Sequence, residues 1–210
     1  MDNRRITAWK DRARFAAYST GLRGQRHLYR WPTGQWDREW HDGDWDYMED
    51  PSEMPRYALL AGYITTRPPG TVLDIGCGVG TLRRYLPDHS FTSYQGIDLA
   101  ATAVDRANRA HYERSEFLVA DALTASLSPA NTVVLNEVLY LTAVPDALVA
   151  RLSDLVDTDG QVIASIYRHP GDVVHWKALD AWGTCIDRTV VRNRNPKARY
   201  GTIVAAYRRR

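Results

Sequence analysis

With 210 residues, 44% of them hydrophobic and 25% charged, the chain can bury one substantial core without staples and has the composition of a globular domain. Two cysteines, Cys77 and Cys185, exclude a disulfide framework and suit a reduced, cytoplasmic setting; no apolar run approaches the roughly 18 residues of a membrane span, and the first residues lack the apolar core of a signal peptide. The formal charge of +2 hides a segregation, because residues 1–30 carry +6, residues 31–60 carry −6, and eight basic residues from Arg188 onward meet no acid.

A basic arm and tail are one way to touch nucleic acid; the other reading is that neighbouring segments neutralise each other. The second is favoured, since no Lys/Arg stripe interleaves with exposed aromatics. Ile6, Trp9, Ala13, Ala16 and Ala17 recur at helical spacing and predict a short amphipathic helix. In residues 31–50, Trp31, Trp36, Trp40, Trp45 and Tyr47 alternate with Asp37, Glu39, Asp42, Asp44 and Asp46 around Gly34 and Gly43, with no sustained period. This segment reads either as a lid, with Trp45 and Tyr47 walling a substrate site, or as aromatic packing. Pro51 and Ser52 open a helix with Met54, Ala58, Leu59 and Ala61 or Gly62 as expected core positions. Residues 1–60 thus form a helix and lid in front of a ligand-binding core, 61–210, in a single domain.

From Thr71 strands and helices alternate. Strands are expected at 71–75, 93–97, 116–120, 132–136 and 161–167, and helices at about 79–86, 100–111, 145–156 and 171–182. The strands are continuously apolar, as in a parallel sheet covered on both faces, which makes the chain a doubly wound α/β protein. The stretches 185–192 and 199–207 have only a turn-rich segment, Asn193 to Lys197, between them and predict an antiparallel hairpin.

The most informative run is Val72-Leu73-Asp74-Ile75-Gly76-Cys77-Gly78-Val79-Gly80, a buried strand breaking into a glycine-rich turn before a helix. Gly76, Gly78 and Gly80 allow tight turning and close approach of a ligand to the backbone. Thr81 breaks the dinucleotide pattern G-x-G-x-x-G. Asp74 would repel a pyrophosphate but suits a ligand carrying an amine or sulfonium. Ligands in such sheets sit at the carboxyl ends of the strands. The second strand ends in Asp98 and Leu99, 24 positions after Asp74, where a ribose diol is bound in such folds. The third ends in Asp121-Ala122, an acceptor for an adenine amino group, and the fourth in Asn136-Glu137-Val138-Leu139-Tyr140.

On these residues the chain resembles the class I S-adenosylmethionine-dependent methyltransferases, over about residues 53–208. The resemblance implies a Rossmann-like seven-stranded sheet in the order 3-2-1-4-5-7-6 with the last strand antiparallel, and S-adenosyl-L-methionine as cofactor. It implies Asp74, Gly76, Cys77, Gly78 and Gly80 beside the cofactor's methionine part, Asp98 with Leu99 at the ribose, and Asp121 with Ala122 at the adenine. Asn136 to Leu141 looks like the fourth motif of small-molecule members, including nodulation-type N-methyltransferases; Val138 and Leu139 stand where base-amine methyltransferases carry prolines. No Asp/Asn cluster resembles the magnesium site of catechol-type O-methyltransferases. By the same analogy Arg56 neutralises the cofactor's carboxylate; the alternative is a surface arginine on a helix.

An amine acceptor needs only to lose a proton, whereas a hydroxyl needs a positioned base. Glu137, Tyr140 and His169 are the candidates for contacting the acceptor, though Glu137 equally suits orientation of an ammonium and His169 a helix cap before Pro170. Acidic residues at 42–50 favour a cationic acceptor, hence a small amine. The alternatives are a small-molecule O-methyltransferase, a nucleic-acid methyltransferase using the basic termini, and a protein of this fold that binds cofactor without transferring a methyl group.

Overall fold

The computed structural model describes residues 34–142, 145–168, 171–192 and 201–210. The expected helix at residues 6–17 and His169 lie outside them. Seven strands, β1 (Gly70–Ile75), β2 (Phe91–Asp98), β3 (Ser115–Val119), β4 (Ala130–Asn136), β5 (Val156–Tyr167), β6 (Gly183–Val191) and β7 (Thr202–Arg209), form one sheet in the order β3-β2-β1-β4-β5-β7-β6. The first five pair in parallel, and β7 is antiparallel to both β5 and β6. The expected order and hairpin are both present. Among the described residues no helix is long and apolar enough to cross a membrane.

The alternation of side chains along each strand divides the core in two. Leu73, Val133, Leu135, Val162 and Ala164 face α5 (Pro145–Leu155) and α6 (Val173–Trp182), packing on Leu148, Leu152, Leu155, Trp176 and Leu179. Val72, Tyr94, Val134, Ile163 and Val204 face α2 (Met54–Thr65) and α4 (Ala101–Asn108). With both faces covered, Val133, Val134 and Leu135 are all closed to solvent. Full burial of each such side chain contributes about 1.5–3 kcal/mol.

Three expectations need correction. Helix α2 buries Tyr57, Leu60, Ala61 and Ile64, whereas Met54 is half exposed and Ala58 exposed. The spacing 57, 60, 61, 64 is a clean helical stripe, so of the expected positions Ala61 lies on it, Leu59 packs at its edge, and Met54 and Ala58 face away. The segment thought to lack a period contains α1 (Gln35–His41) and a 3₁₀ turn (Asp46–Glu49). Trp36 and Trp40 stand four apart on α1, Gln35 Nε2 donates to Glu39 Oε1 at 2.7 Å, and Gly34 and Gly43 bound the helix with positive φ. The helix expected at 79–86 is only α3 (Thr81–Arg84).

Candidate active site

The loop after β1 turns through three left-handed glycines, Gly76, Gly78 and Gly80 (φ 71°, 54° and 75°). Its first amides, those of Gly76 and Cys77, both donate to the Ile97 carbonyl at 2.8 and 3.0 Å. At Gly78 a Cβ would stand 2.7 Å from Trp40 Cζ2, so both conformation and space demand glycine. Cys77 is buried, and burial together with the charges of Asp74 and Asp98 pushes its thiol up. It is therefore a packing residue of the loop, not a reactive thiolate.

Two carboxylates anchor this corner. Asp74 is 1% exposed; its Oδ2 accepts from the Tyr94 hydroxyl at 2.5 Å, and its buried Oδ1 has no hydrogen-bond partner. Burial, reinforced by the charge of Asp98 and opposed by the Tyr94 bond, pushes Asp74 up to about 7. Asp98 Oδ2 accepts from the Gly78 amide and Oδ1 from the Ala100 amide, each at 2.9 Å. Its carboxylate thus ties the glycine loop to the start of α4. Leu99 beside it is 53% exposed. Asp121 Oδ1 accepts from the Leu123 amide at 2.9 Å, closing its own turn, and Ala122 packs into the core.

At the end of β4 the chain takes a strained step. Glu137 has φ 62°, which costs a side-chain-bearing residue about 1–2 kcal/mol. Its amide reaches the carbonyl and Oγ of Ser165 at 3.1 and 3.0 Å. Its buried carboxylate accepts from Ser165 Oγ (3.0 Å), the Tyr140 hydroxyl (2.7 Å) and the Tyr167 amide (3.0 Å). The step brings Val138 over Gly76, leaving no room for a side chain there.

Arg56, the expected cofactor-carboxylate partner, is no surface arginine. It is 1% exposed, bonds Glu53 Oε2 through Nε and Nη2 at 3.3 and 3.1 Å, and reaches Asn136 Oδ1 through Nη1. Asn136 Oδ1 also lies 2.8 Å from Ser165 Oγ, whose single hydrogen it shares with Glu137 Oε1. Burial, then the charge of Glu137, pushes the Tyr47 phenol upward, and burial followed by Glu137 does the same to Tyr140. Tyr47, Arg56, Asn136, Glu137 and Tyr140 are therefore one electrostatic neighbourhood.

Residues 35–50 form a strap across the glycine loop and α4. Trp40 packs with Val79, Ala100 and Ala103, and Trp45 follows at 6.3 Å from Trp40 and 6.0 Å from Tyr47 between ring centroids. The Trp45 indole donates to Glu39 Oε2 at 3.0 Å. Arg106 of α4 binds Asp46 at 3.0 Å and Glu49 at 2.8 Å, and Arg84 binds Glu49 at 2.7 Å. Two acids expected to face a cationic acceptor are thus paired within the fold, because the strap lies on an arginine-bearing surface. The sequence reading missed Tyr94, Ser165, Asp37 and Arg106. Only Tyr94 left a trace, since alternation along β2 puts it on the same sheet face as Asp74.

A family model described as a methyltransferase domain matches residues 48–198. No curated protein matches the chain. Among solved structures, the chain is similar to the N-methyltransferase NodS from Bradyrhizobium japonicum WM9 in complex with S-adenosyl-l-homocysteine: 20% identity, TM-score 0.69, 79% of this chain and 91% of that one. It is similar to the Burkholderia thailandensis 1,6-didemethyltoxoflavin-N1-methyltransferase with bound 1,6-didemethyltoxoflavin and S-adenosylhomocysteine (20%, 0.69, 84% and 86%). It also resembles the [4+2]-cyclase SpnF (16%, 0.61, 73% and 80%). At these identities the likeness is one of fold.

Proposed function

This chain belongs to the methyltransferase domain family, and we propose that it transfers a methyl group from S-adenosylmethionine to a small molecule, with nitrogen as the accepting atom. One observation carries the cofactor: beside the glycine loop, Asp74 keeps a buried oxygen without a hydrogen-bond partner. A desolvated carboxylate oxygen is costly alone and is compensated by a cationic group. Asp98 suits the ribose hydroxyls, because each of its oxygens accepts one backbone bond and keeps a second lone pair. Arg56 offers a buried guanidinium for a carboxylate, Leu99 stands beside Asp98 on the ribose side, and Asp121 and Ala122 serve the expected adenine side.

Bound there, S-adenosylmethionine supplies an electrophilic methyl group on a sulfonium. The protein aligns the acceptor and excludes water. Nitrogen is favoured by the state of Glu137, whose carboxylate is committed to Ser165, Tyr140 and Tyr167. A carboxylate so engaged holds the turn and its neighbours in place, and an amine needs no enzyme base to attack. Trp45 and Tyr47 supply aromatic walls for the acceptor. The N-methyltransferases among the similar structures support the same reading.

The test is incubation with methyl-labelled S-adenosylmethionine and panels of small amines and small hydroxyl compounds, with products and S-adenosylhomocysteine measured by mass spectrometry. Labelled N-methyl products are expected. Transfer to RNA or DNA alone would overturn the small-molecule acceptor, and labelled ethers alone would overturn nitrogen. Cofactor binding without S-adenosylhomocysteine formation would overturn methyl transfer, leaving the chain in the situation of a fold that also serves a [4+2]-cyclase.

A further inference from the structure

Helix α4 begins three residues after Asp98, and its own sequence gives it no N-cap. The N-cap position is Ala100, with no side-chain cap hydrogen bond. The first amides of a helix need acceptors, and Ala is a poor N-cap. The missing acceptor comes from 65 residues away: Asp37 Oδ1, on α1 of the strap, accepts from the Thr102 amide at 2.7 Å. This bond holds the Asp37 carboxyl below the usual carboxylate range, as a working cap should.

The contacts close a loop through the cofactor corner. Asp37 holds the amide of Thr102, while Asp98 holds the amide of Ala100 in the same helical turn and the amide of Gly78 in the glycine loop. Trp40, three residues after Asp37, rests on Gly78. Arg106, lower on α4, fixes the far end of the strap through Asp46 and Glu49, its guanidinium 5.7 Å from the Trp40 ring centroid. The strap therefore grips both backbone segments that orient the Asp98 carboxylate. Asp37 and Trp40 stand before residue 48, where the family match begins.

We infer that Asp37 is a positioning residue for the cofactor: by capping α4 from the strap it sets the orientation of Asp98, and with it cofactor affinity. The inference rests on the cofactor proposed above. Asp37 touches no reacting atom, so its loss acts on binding and leaves the chemical step alone.

The experiment compares wild type, Asp37→Ala, Asp37→Asn and the exposed α6 variant Lys177→Ala by calorimetric titration with S-adenosylhomocysteine. Asn caps a helix about as well as Asp. Asp37→Ala should raise Kd about fivefold to tenfold, the equivalent of one lost cap, while Asp37→Asn and Lys177→Ala stay within about twofold. In turnover, Asp37→Ala should raise KM for the cofactor and leave kcat at saturation. Hydrogen exchange at the Thr102 amide should quicken in Asp37→Ala alone. Should that variant fail to fold, Arg106→Gln loosens the strap and keeps the cap residue; faster S-adenosylhomocysteine dissociation, enhanced by salt, is then expected. Unchanged Kd in Asp37→Ala, equal weakening in Asp37→Asn, or unchanged dissociation in Arg106→Gln would overturn the inference. Wild type that binds no S-adenosylhomocysteine would overturn the proposed cofactor instead, and Thr102 exchange would still report the cap.

Discussion

Tyr94 of β2 donates its hydroxyl hydrogen to Asp74 Oδ2 of β1 at 2.5 Å, with both side chains closed to solvent. The bond favours the ionised acid, yet burial prevails and Asp74 titrates near about 7. The folded chain thus holds a proton that the unfolded chain releases near its ordinary value of 3.8. Asp74's relative contribution to stability is fully present below about 4 and is lost as pH rises to about 7. Binding of a cationic cofactor has the opposite sign, because it favours the carboxylate. Affinity for S-adenosylmethionine should rise with pH through about 7, with proton release measurable by calorimetry in buffers of different ionisation enthalpy. Tyr94→Phe should move the midpoint to higher pH, and Asp74→Asn should remove the dependence.

Gly78→Ala meets two obstacles, a φ of 54° and the Trp40 ring. Backbone strain alone costs about 1–2 kcal/mol, and in a chain of this size each kcal/mol lowers Tm by about 2–4 °C. Calorimetry should show that loss together with weaker S-adenosylhomocysteine binding.

Arg56→Met should be among the most damaging single changes. It leaves Glu53, 4% exposed, as a buried charge without its guanidinium, a situation worth about 3–5 kcal/mol. Denaturant unfolding should recover part of the loss in the double variant Arg56→Met/Glu53→Gln, because the charge has then gone as well.

Glu137→Gln and Tyr140→Phe should separate alignment from cofactor binding. Each removes part of the three-donor clamp that holds the strained turn at the end of β4. Misplacement of the acceptor by about 1 Å costs about a hundredfold, so kcat should fall by about 10–100-fold. The Kd for S-adenosylhomocysteine should stay within about threefold of wild type.

What the sequence revealed follows the range of each interaction. Strands β1 to β5 were legible because burial on both faces leaves uninterrupted apolar runs, and Asp74, Asp98 and Asn136 because each ends such a run. Helix α1 was obscured by Asp and Gly residues that dilute the Trp36–Trp40 repeat. The partners of the strap are far along the chain, since Asp37 of α1 pairs with Thr102 and Asp46 of the 3₁₀ turn with Arg106. The burial of Arg56 is of the same kind. Nothing in Met54-Pro55-Arg56 announces a partner 80 residues away, and the arginine stood out only through family resemblance.

The antiparallel hairpin carries a consequence for biosynthesis. β6 lies at the edge of the sheet and pairs only with β7, which pairs in turn with β5. On the ribosome β6 therefore emerges before the strand that, among the described residues, receives it. Until β7 follows, β5 presents an open apolar edge, an invitation to pair with another nascent chain. Translation pauses between residues 183 and 202 would lengthen that exposure, so codon choice across this short stretch should govern how much protein reaches the soluble fraction.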